Sequence, residues 1–271
     1  MTPLVFSHAN SFGASTYRVL FKALTARGFA VSAIDQLGHD PRYPVTNNWP
    51  HLVQQLVDFV QLQADQAGVP VFLAGHSLGG FLSAMVASKA PNLVRGVVLL
   101  DSPLIGGWRA KALGAAKTTP LFQSFSPASV SRKRRNQWAD TAAVMAHFQH
   151  KKSFAKWDPL VLQDYIDLGT RDEWVDGQPS RVLSFDREIE SAIYNSLPHN
   201  MVALFKRHPI KCPVTFIGGI QSTEIKQAGM AMTEKIAKGR IMMLDGTHLF
   251  PMEKPLATAA ALETALRNMT H

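Results

Sequence analysis

A short run with glycines on both sides of a serine constrains the fold of this chain more than any other feature. The run is GHSLGG, at residues 75–80; it follows the apolar segment Val71–Ala74 and precedes a stretch with helical patterning. A sharp turn from a strand into a helix strains the intervening residue, and a Cβ atom at Gly75 or Gly79 would collide with such a turn. The run therefore predicts a strand–turn–helix unit with Ser77 at the carboxyl edge of a sheet.

Short apolar segments alternate with amphipathic segments in the first hundred residues and again near the end of the chain. The apolar segments, interpreted as buried strands, are Leu4–Phe6, Phe29–Ile34, Val71–Ala74, Val94–Leu100, Val214–Ile217 and Ile241–Leu244. Helices are predicted between Ser15 and Gly28 and over His51–Ala67, Ser77–Ala90, Thr223–Ala237 and Leu256–Asn268. Continuous apolar strands alternating with helices are typical of a parallel sheet covered on both faces. The predicted fold class is α/β, with a mostly parallel sheet of about six strands.

This alternation breaks between Asp101 and Cys212. The intervening stretch contains Trp108, Trp138, Trp157 and Trp174, several helical patterns and few strand-like runs. We interpret residues 102–211 as a helical insertion, with residues 1–101 and 212–271 forming the core. A length of 271 residues suits one domain with a substantial insertion better than several domains.

The composition excludes several classes of protein. Hydrophobic residues make up 46% of the chain, which excludes disorder as its main state. No run approaches the roughly 18 uncharged apolar residues that a membrane span needs. No basic segment followed by an apolar one is visible at the N-terminus, so a cytoplasmic protein is expected. A single cysteine, Cys212, excludes an internal disulfide and a cysteine-rich zinc cluster.

The net charge of +8 is concentrated in one segment. Between Arg109 and Lys156 there are ten Lys or Arg residues and one acid, Asp140, so this segment carries +9 and the remainder −1. The run Arg132–Arg135 lies within it. Three interpretations are open: a solvated helical face, the steering of anionic substrates, and a nucleic-acid or membrane patch. No nucleic-acid fold signature accompanies the run, so neither a nucleic-acid nor a membrane partner is predicted.

The motif around Ser77 and the loops after several predicted strands resemble the α/β-hydrolase family over almost the whole chain. Asp35–Asp40 is similar to the family's Asp-x-x-Gly-His-Gly loop, Gly246–Pro251 to its Gly-x-x-His loop, and Glu253–Pro255 to the segment that commonly follows. The resemblance implies a nucleophile elbow at Ser77 and a helical cap inserted after the fourth strand. The family normally has two strands before the first one seen here, so either a six-stranded version or a truncated start is expected.

A serine hydroxyl is a weak nucleophile until a neighbouring base takes its proton. Among the ten histidines, the resemblance assigns this role to His248, in the loop after the last strand, with the serine first and the histidine last in the chain. His76 is expected to point away from the site and His8 to brace a loop. For His39, a structural and a functional role are both open.

Two carboxylates are candidates for the acid that orients His248 and stabilises its charged form. The family usually places this acid after the strand ending near Ile217, but that loop has no Asp, and its acid, Glu224, comes late. Asp101, directly after the strand ending at Leu100, is preferred, because some relatives, including small bacterial esterases, carry the acid there. The alternative role for Asp101 is to cap a strand end.

The segment His8-Ala9-Asn10 follows the first strand, where the family usually shows His-Gly-x. The resemblance implies that the backbone N–H groups of Asn10 and Leu78 form the oxyanion hole. Free N–H groups at a helix N-terminus favour a developing negative charge. Because Ala9 replaces the usual glycine, the loop is expected to be set slightly differently.

Apolar residues of the insertion are candidates for lining a pocket over the site, which a cap would shape and shield from water. They are Leu104, Ile105, Trp108, Leu121, Phe122, Phe125, Trp138, Met145 and Phe148. More of them are expected in the core of the insertion than in the pocket wall.

These features predict a serine hydrolase that cleaves a small-molecule carboxylic ester or thioester through an acyl-enzyme, with no metal and no organic cofactor. A thioesterase, lactonase, amidase or C–C bond hydrolase would use the same triad, and a cofactor-free haloperoxidase-like side activity is open for the same reason. Serine at the elbow argues against an epoxide hydrolase or a haloalkane dehalogenase. A non-catalytic ligand-binding protein, and a scaffold or nucleic-acid partner built on the basic cap, are the alternatives from other classes. A homodimer is left open.

Overall fold

The structure is a computed structural model that describes residues 1–117 and 127–269. Its strands are β1 (Thr2–Ser7), β2 (Phe29–Ala33), β3 (Val71–His76), β4 (Val94–Leu100), β5 (Gln137–Trp138), β6 (Thr170–Val175), β7 (Gln178–Leu183), β8 (Val214–Gly219) and β9 (Ile241–Leu244). Six of them form a central sheet in the order β2-β1-β3-β4-β8-β9, and every neighbouring pair is parallel. This confirms the predicted α/β fold with a mostly parallel sheet of about six strands.

Helices connect these strands. In the described residues they are α1 (Arg18–Ala26), α2 (Pro50–Ala67), α3 (Leu78–Lys89), α4 (Gly107–Ala116), α5 (Pro127–Lys133), α6 (Thr141–Phe148), α7 (Pro159–Leu168), α8 (Arg187–Asn195), α9 (Met201–Arg207), α10 (Thr223–Ala228), α11 (Ala231–Ala237), α12 (Phe250–Glu253) and α13 (Pro255–Arg267). None of these helices is both long enough and apolar enough to cross a lipid bilayer.

The sheet is covered on both faces, so alternate residues of each strand enter different cores. Leu4 and Phe6 of β1 pack in one cluster with apolar residues of α1 and α13. Val5 packs in the other cluster with residues of α2 and α3. Burial on both sides explains why the strands read as continuous apolar runs rather than as alternating ones. Because the strands are parallel, the loops after β1, β3, β4 and β8 all emerge at one edge of the sheet.

The helix predicted over Thr223–Ala237 is wrong, because the structure contains two helices there, α10 and α11. The chain turns at Gly229, whose φ of +73° lies in a region that residues with a side chain rarely adopt. A Cβ atom at Gly229 would also lie 2.9 Å from the guanidinium of Arg109. The break therefore makes room for an arginine of the insertion.

The region 102–211 contains the helices α4 to α9 and also a three-stranded sheet in the order β5-β7-β6, whose paired strands are antiparallel. The prediction of a helical insertion did not include this sheet. Strands β6 and β7 form a hairpin across Asp176 and Gly177, which both have positive φ, of 50° and 74°. An Asp-Gly pair is a preferred sequence for a two-residue hairpin turn, so a signal for it was present in the sequence.

An aromatic cluster forms the core of this region and joins it to the sheet. Trp138, Phe148, Trp157 and Tyr165 are buried there, and Phe12 of the loop after β1 packs edge-on against two of them. Trp138 and Phe148, both considered for the pocket wall, thus belong to this core, and Met145 packs against it. Leu121, Phe122 and Phe125, considered for the same wall, lie outside the described residues.

Candidate active site

Ser77 occupies the turn between β3 and α3 with φ 53° and ψ −114°, a conformation that is costly for a residue with a side chain. The neighbouring glycines are what allow it. A Cβ atom at Gly75 would lie 2.2 Å from the carbonyl carbon of Gly79, and one at Gly79 would lie 2.0 Å from the carbonyl oxygen of Ser7. The collision predicted at these glycines is therefore confirmed, and the strained serine stands at the carboxyl edge of the sheet.

His248, in the loop after β9, contacts Asp101, which directly follows β4, and both line one pocket with Ser77. The Nδ1–H of His248 donates a hydrogen bond of 2.6 Å to the Oδ2 of Asp101. Asp101 is completely buried, its Oδ1 accepts from the N–H of Gly219 at 2.7 Å, and its Oδ2 also accepts from the hydroxyl of Ser222 at 2.6 Å. In a neutral ring held this way the single N–H is the one on Nδ1, which leaves Nε2 as the nitrogen that can accept a proton.

Glu224 lies farther from the same histidine. Its Oε2 is 3.8 Å from the Nδ1 of His248, outside hydrogen-bond distance, and its side chain is 42% exposed. The hydroxyl of Thr223 donates to this carboxylate at 3.0 Å. The structure therefore brings Asp101 and His248 together and leaves Glu224 at the rim.

These three side chains are also the ones among the described residues that could converge on a cation. One ligand atom from each of Asp101, Glu224 and His248 lies within 4.8 Å of the others. Both oxygens of Asp101, however, already accept hydrogen bonds, and Nδ1 of His248 is the donor of one of them. Hydrogen bonding accounts for the arrangement of these groups without an ion.

A hydrogen-bonded chain joins the loop after β1 to the backbone of His248. The N–H of Ala9 donates to the hydroxyl oxygen of Tyr17 at 3.0 Å, and that hydroxyl donates to the Nδ1 of His76 at 2.7 Å. The Nε2–H of His76 donates to the carbonyl oxygen of His248 at 2.8 Å, which fixes the tautomer, since a carbonyl only accepts. Burial lowers the pKa of His76 to about 3, so its ring is neutral.

His8 and His39 brace neighbouring loops. His8 is buried; its Nδ1–H donates to the carbonyl of Ala9 at 2.7 Å, and its Nε2 accepts from the N–H of Leu37 at 2.8 Å. Burial lowers the pKa of His8 to about 4. The Nε2 of His39 accepts from the N–H of Asp186 at 3.0 Å, which ties the loop after β2 to the insertion. Both rings are therefore occupied by structural contacts.

The loop that carries Asn10 is attached to the insertion through Glu190 of α8. The side-chain amide of Asn10 donates to the backbone oxygen of Glu190 at 3.0 Å, and the hydroxyl of Ser11 donates to its carboxylate. That carboxylate also accepts from Ser131 and lies 2.9 Å from a guanidinium nitrogen of Arg134. Leu78, the other residue considered for the oxyanion hole, begins α3, so its N–H has no acceptor within the helix.

Comparison with known proteins shows to which family the chain belongs. The model of the alpha/beta hydrolase family matches residues 4–261. The chain belongs to the α/β-hydrolase family. A monoglyceride lipase homolog of Monkeypox virus is 30% identical over 179 residues, which cover 61% of this chain and 59% of the relative. The human monoglyceride lipase is 33% identical over 107 residues, which cover 38% of this chain and 35% of that protein.

Solved structures extend this similarity to the whole chain. The crystal structure of an E-2-(acetamidomethylene)succinate hydrolase superimposes with a TM-score of 0.71 at 22% identity, covering 98% of this chain and 91% of that one. At that identity the likeness concerns the fold. This α/β hydrolase spans less than two thirds of the length of either curated relative.

A pocket of about 440 Å³ opens at Ser77 and His248, with Asp101 also in its wall. The insertion supplies half of the lining residues: Pro103, Ile105, Trp108, Arg109, Ala112, Leu113 and Leu197. Two of the residues predicted to line a pocket, Ile105 and Trp108, are thus found in its wall. Leu104, the third described residue from that part of the insertion, is buried and lines a neighbouring cavity instead.

The sequence pattern did not reveal Tyr17, Ser11 or Glu190 as parts of the site. Each makes its contact with a residue far away in the chain, and no local motif marks such a pair. A weak signal existed for Glu190, since a carboxylate on an apolar helix face needs a buried partner. The run Arg132–Arg135 supplies that partner through Arg134, so part of the predicted basic stretch is structural.

Proposed function

We propose that this protein is a serine hydrolase that cleaves carboxylic esters of small molecules. The observation that carries the proposal is the 2.6 Å contact between Asp101 and His248, which line the same pocket as Ser77. Ser77 has a strained backbone conformation in the turn between β3 and α3. A serine, a buried carboxylate and a histidine in this order along the chain are the elements of acyl transfer in this family. The proposed triad needs neither a metal nor an organic cofactor.

In the proposed reaction, the Oγ of Ser77 attacks the carbonyl carbon of the ester while Nε2 of His248 takes the hydroxyl proton. Asp101 holds Nδ1–H of the histidine and stabilises the imidazolium that forms. The N–H groups of Asn10 and Leu78 would stabilise the oxyanion. The tetrahedral intermediate then expels the alcohol, which receives the proton from His248, and leaves an acyl-enzyme.

Water completes the cycle. It attacks the carbonyl carbon of the acyl-enzyme while Nε2 of His248 accepts its proton, and the same proton returns to the Oγ of Ser77 as the carboxylic acid leaves. The neutral tautomer of His248, with the proton on Nδ1, is the form required at the start of both half-reactions. The tautomer is held by a carboxylate that makes three hydrogen bonds and therefore has little freedom to turn away.

The pocket favours an ester with an apolar acyl or alkyl group. Its walls include Phe81, Ile105, Leu113 and Leu197, and its volume suits a small molecule. We propose that the insertion acts as a cap, because it supplies half of the pocket wall and so limits the access of water to the serine. Similarity to monoglyceride lipases favours monoacylglycerols among the esters to be tested.

The test compares the wild type with Ser77→Ala on p-nitrophenyl acetate, butyrate and octanoate and on a monoacylglycerol. We expect the substitution to reduce kcat by on the order of 10⁴-fold or more without lowering the melting temperature. Ser83→Ala is a matched control, since Ser83 is a buried serine of α3, the helix that follows Ser77, and its hydroxyl donates to the carbonyl oxygen of Gly79, outside the pocket wall. Turnover retained in Ser77→Ala would refute the assignment. Thioesters and lactones complete the substrate panel.

A further inference from the structure

A second cavity, of about 820 Å³, lies beside the proposed reaction pocket. The two share Trp108, Arg109 and Ala228 in their walls, so they are neighbours rather than separate faces of the molecule. Most of the lining residues come from α9, from α11, from the start of α4 and from residues 209–214, which lead into β8. We call this cavity the basic groove. Its volume is within the range of pockets that hold a single small molecule, about 300–1,000 Å³.

The floor of the basic groove is apolar. Val202 and Phe205 of α9 face it, as do Met232 and Ile236 of α11 and Ile210 between these helices in the chain. All five side chains are half-buried, which leaves apolar surface in contact with water inside one concavity. A hydrocarbon chain placed there would remove that surface from water, which is favourable in proportion to its area.

The charged side chains at the rim of the basic groove are all positive. Its basic residues are Arg109, Lys206, Lys211, Lys235, Lys238 and Arg240, and no carboxylate of a described residue lines the groove. Over residues 1–117 and 127–269, none of the six forms an ion pair with an aspartate or a glutamate. Cations gathered around a concave apolar surface produce a potential that attracts an anion.

One of these basic residues, Arg109, lies in the wall that the basic groove shares with the reaction pocket. The guanidinium of Arg109 lies 4.8 Å from the ring centre of Trp108, a cation–π contact that holds it in place. The break at Gly229 gives it room, because a Cβ atom there would approach the same guanidinium to 2.9 Å. Arg109 therefore holds its position at the junction of the two cavities without a carboxylate partner among the described residues.

We propose that the basic groove binds a single anionic amphiphile, with its hydrocarbon chain on the apolar floor and a carboxylate or phosphate monoester on the basic rim. The apolar floor alone would admit a neutral lipid, and the rim alone would admit an inorganic anion. Only an amphiphile uses both. This binding site lies outside the reaction pocket, and the proposal does not require that the protein hydrolyse the ligand.

The test uses Cys212, which is the single cysteine of the chain and lines the groove half-buried. Burial raises the pKa of this thiol to about 11, so its alkylation by N-ethylmaleimide is slow and is followed at alkaline pH. In the Ser77→Ala protein, which removes turnover as a complication, added decanoate or decyl phosphate should slow alkylation saturably. Carboxylates from octanoate to dodecanoate should bind roughly fourfold more tightly for each added methylene. The preferred head group follows from comparing decanoate with decyl phosphate.

Charge reversal on both walls tests the rim. Lys206→Glu with Lys235→Glu should weaken decanoate binding by about tenfold or more, and decanol binding should change little. The matched control is Lys22→Glu with Lys152→Glu, which changes the net charge equally at exposed lysines outside the groove. Circular dichroism and melting temperature establish that each variant folds.

Three results would overturn the proposal. They are the absence of saturable protection of Cys212, equal losses of affinity in the two double variants, and decanol binding as tightly as decanoate. If ligands protect Cys212 but the wild type hydrolyses no ester, the proposed binding site is supported and the proposed hydrolysis is refuted. Hydrolysis without protection would do the reverse, so the two failures are distinguishable.

Discussion

The hydroxyl of Ser11 donates a hydrogen bond to the buried carboxylate of Glu190, 179 residues later in the chain. This contact links the loop that carries Asn10 to helix α8 of the insertion. The backbone oxygen of Glu190 also accepts from the Asn10 side chain. The proposed oxyanion loop is therefore held by the insertion as well as by the sheet.

Glu190→Gln tests this link. The substitution keeps the shape of the side chain but leaves the guanidinium of Arg134 without its carboxylate, and breaking such a buried pair costs about 3–5 kcal/mol. We expect a lower free energy of unfolding and a fall in kcat of about tenfold, with little change in KM, since the loop would stabilise the oxyanion less well. Urea unfolding and steady-state kinetics measure both. Glu188→Gln on the same helix is the control, because Glu188 pairs with Arg132 at the surface; equal effects in the two variants would contradict the prediction.

The proposed acid is tested by Asp101→Asn beside Glu224→Gln. Asp101→Asn should reduce kcat by about 10⁴-fold, because an asparagine donates where a carboxylate accepts and favours the wrong tautomer of His248. Glu224→Gln should change kcat by less than about threefold, since its carboxylate is 3.8 Å from the histidine and partly exposed. Kinetics on one ester provide the comparison, and the opposite ranking would move the acid to Glu224.

The sequence was sufficient for the parts of the site that depend on local patterns. The elbow at Ser77 and the strands of the sheet follow from glycine positions and from apolar runs of fewer than eight residues. The contact of Asp101 with His248 spans 147 residues, and only the family resemblance linked them. The contacts of Tyr17 with His76 and of Ser11 with Glu190 have no local signature, because each depends on how the loops and the insertion pack. The break at Gly229 was missed because an isolated glycine is compatible with a helix.

Tyr17→Phe removes the hydroxyl that joins the N–H of Ala9 to the ring of His76. Two buried partners would then lack a hydrogen bond, so we expect a loss of about 1–3 kcal/mol in the free energy of unfolding. The carbonyl of His248 would also be held less firmly, which should lower kcat severalfold. Tyr43→Phe is a matched control, because the Tyr43 hydroxyl donates to Asp58 at the surface. Unfolding curves that coincide for the two variants would argue against the chain of hydrogen bonds.

The buried neutral histidines predict how stability depends on pH. Burial lowers the pKa of His8 to about 4 and that of His76 to about 3, whereas the unfolded chain titrates near 6.5. Between these values the unfolded state binds more protons, so stability is complete above about pH 6.5 and falls as the pH is lowered toward 4. Each histidine contributes about 1.4 kcal/mol per pH unit in this window.

His76→Gln isolates one of these contributions. The free energy of unfolding, measured in urea between pH 4.5 and 6.0, should fall less steeply in the variant than in the wild type, by about 1.4 kcal/mol per pH unit. The variant starts from a lower stability, since it loses a hydrogen bond from Tyr17. The slope and not the absolute value is therefore the test. Equal slopes would mean that His76 is protonated in the folded protein or already neutral in the unfolded one.

Arg109 and the run Arg132–Arg135 contact different parts of the molecule. Substitutions in each can therefore distinguish a residue that attracts an anionic substrate from residues that stabilise the fold. Within the run, Arg134 pairs with Glu190, and Arg135 donates to the carbonyl of Gln137. Arg109 lines the reaction pocket. We expect Arg109→Gln to lower kcat/KM for p-nitrophenyl hemisuccinate, an anionic ester, by roughly three- to tenfold and to leave neutral p-nitrophenyl butyrate unchanged.

Lys133→Gln is the control within the run, because Lys133 is exposed and lies outside the pocket wall. Raising the ionic strength should reduce kcat/KM of the wild type for the anionic ester, since salt screens the attraction, and should reduce it less in Arg109→Gln. Stopped assays at two salt concentrations measure both effects. If Lys133→Gln and Arg109→Gln respond alike, or if salt acts equally on the two esters, the basic stretch plays no part in attracting the substrate.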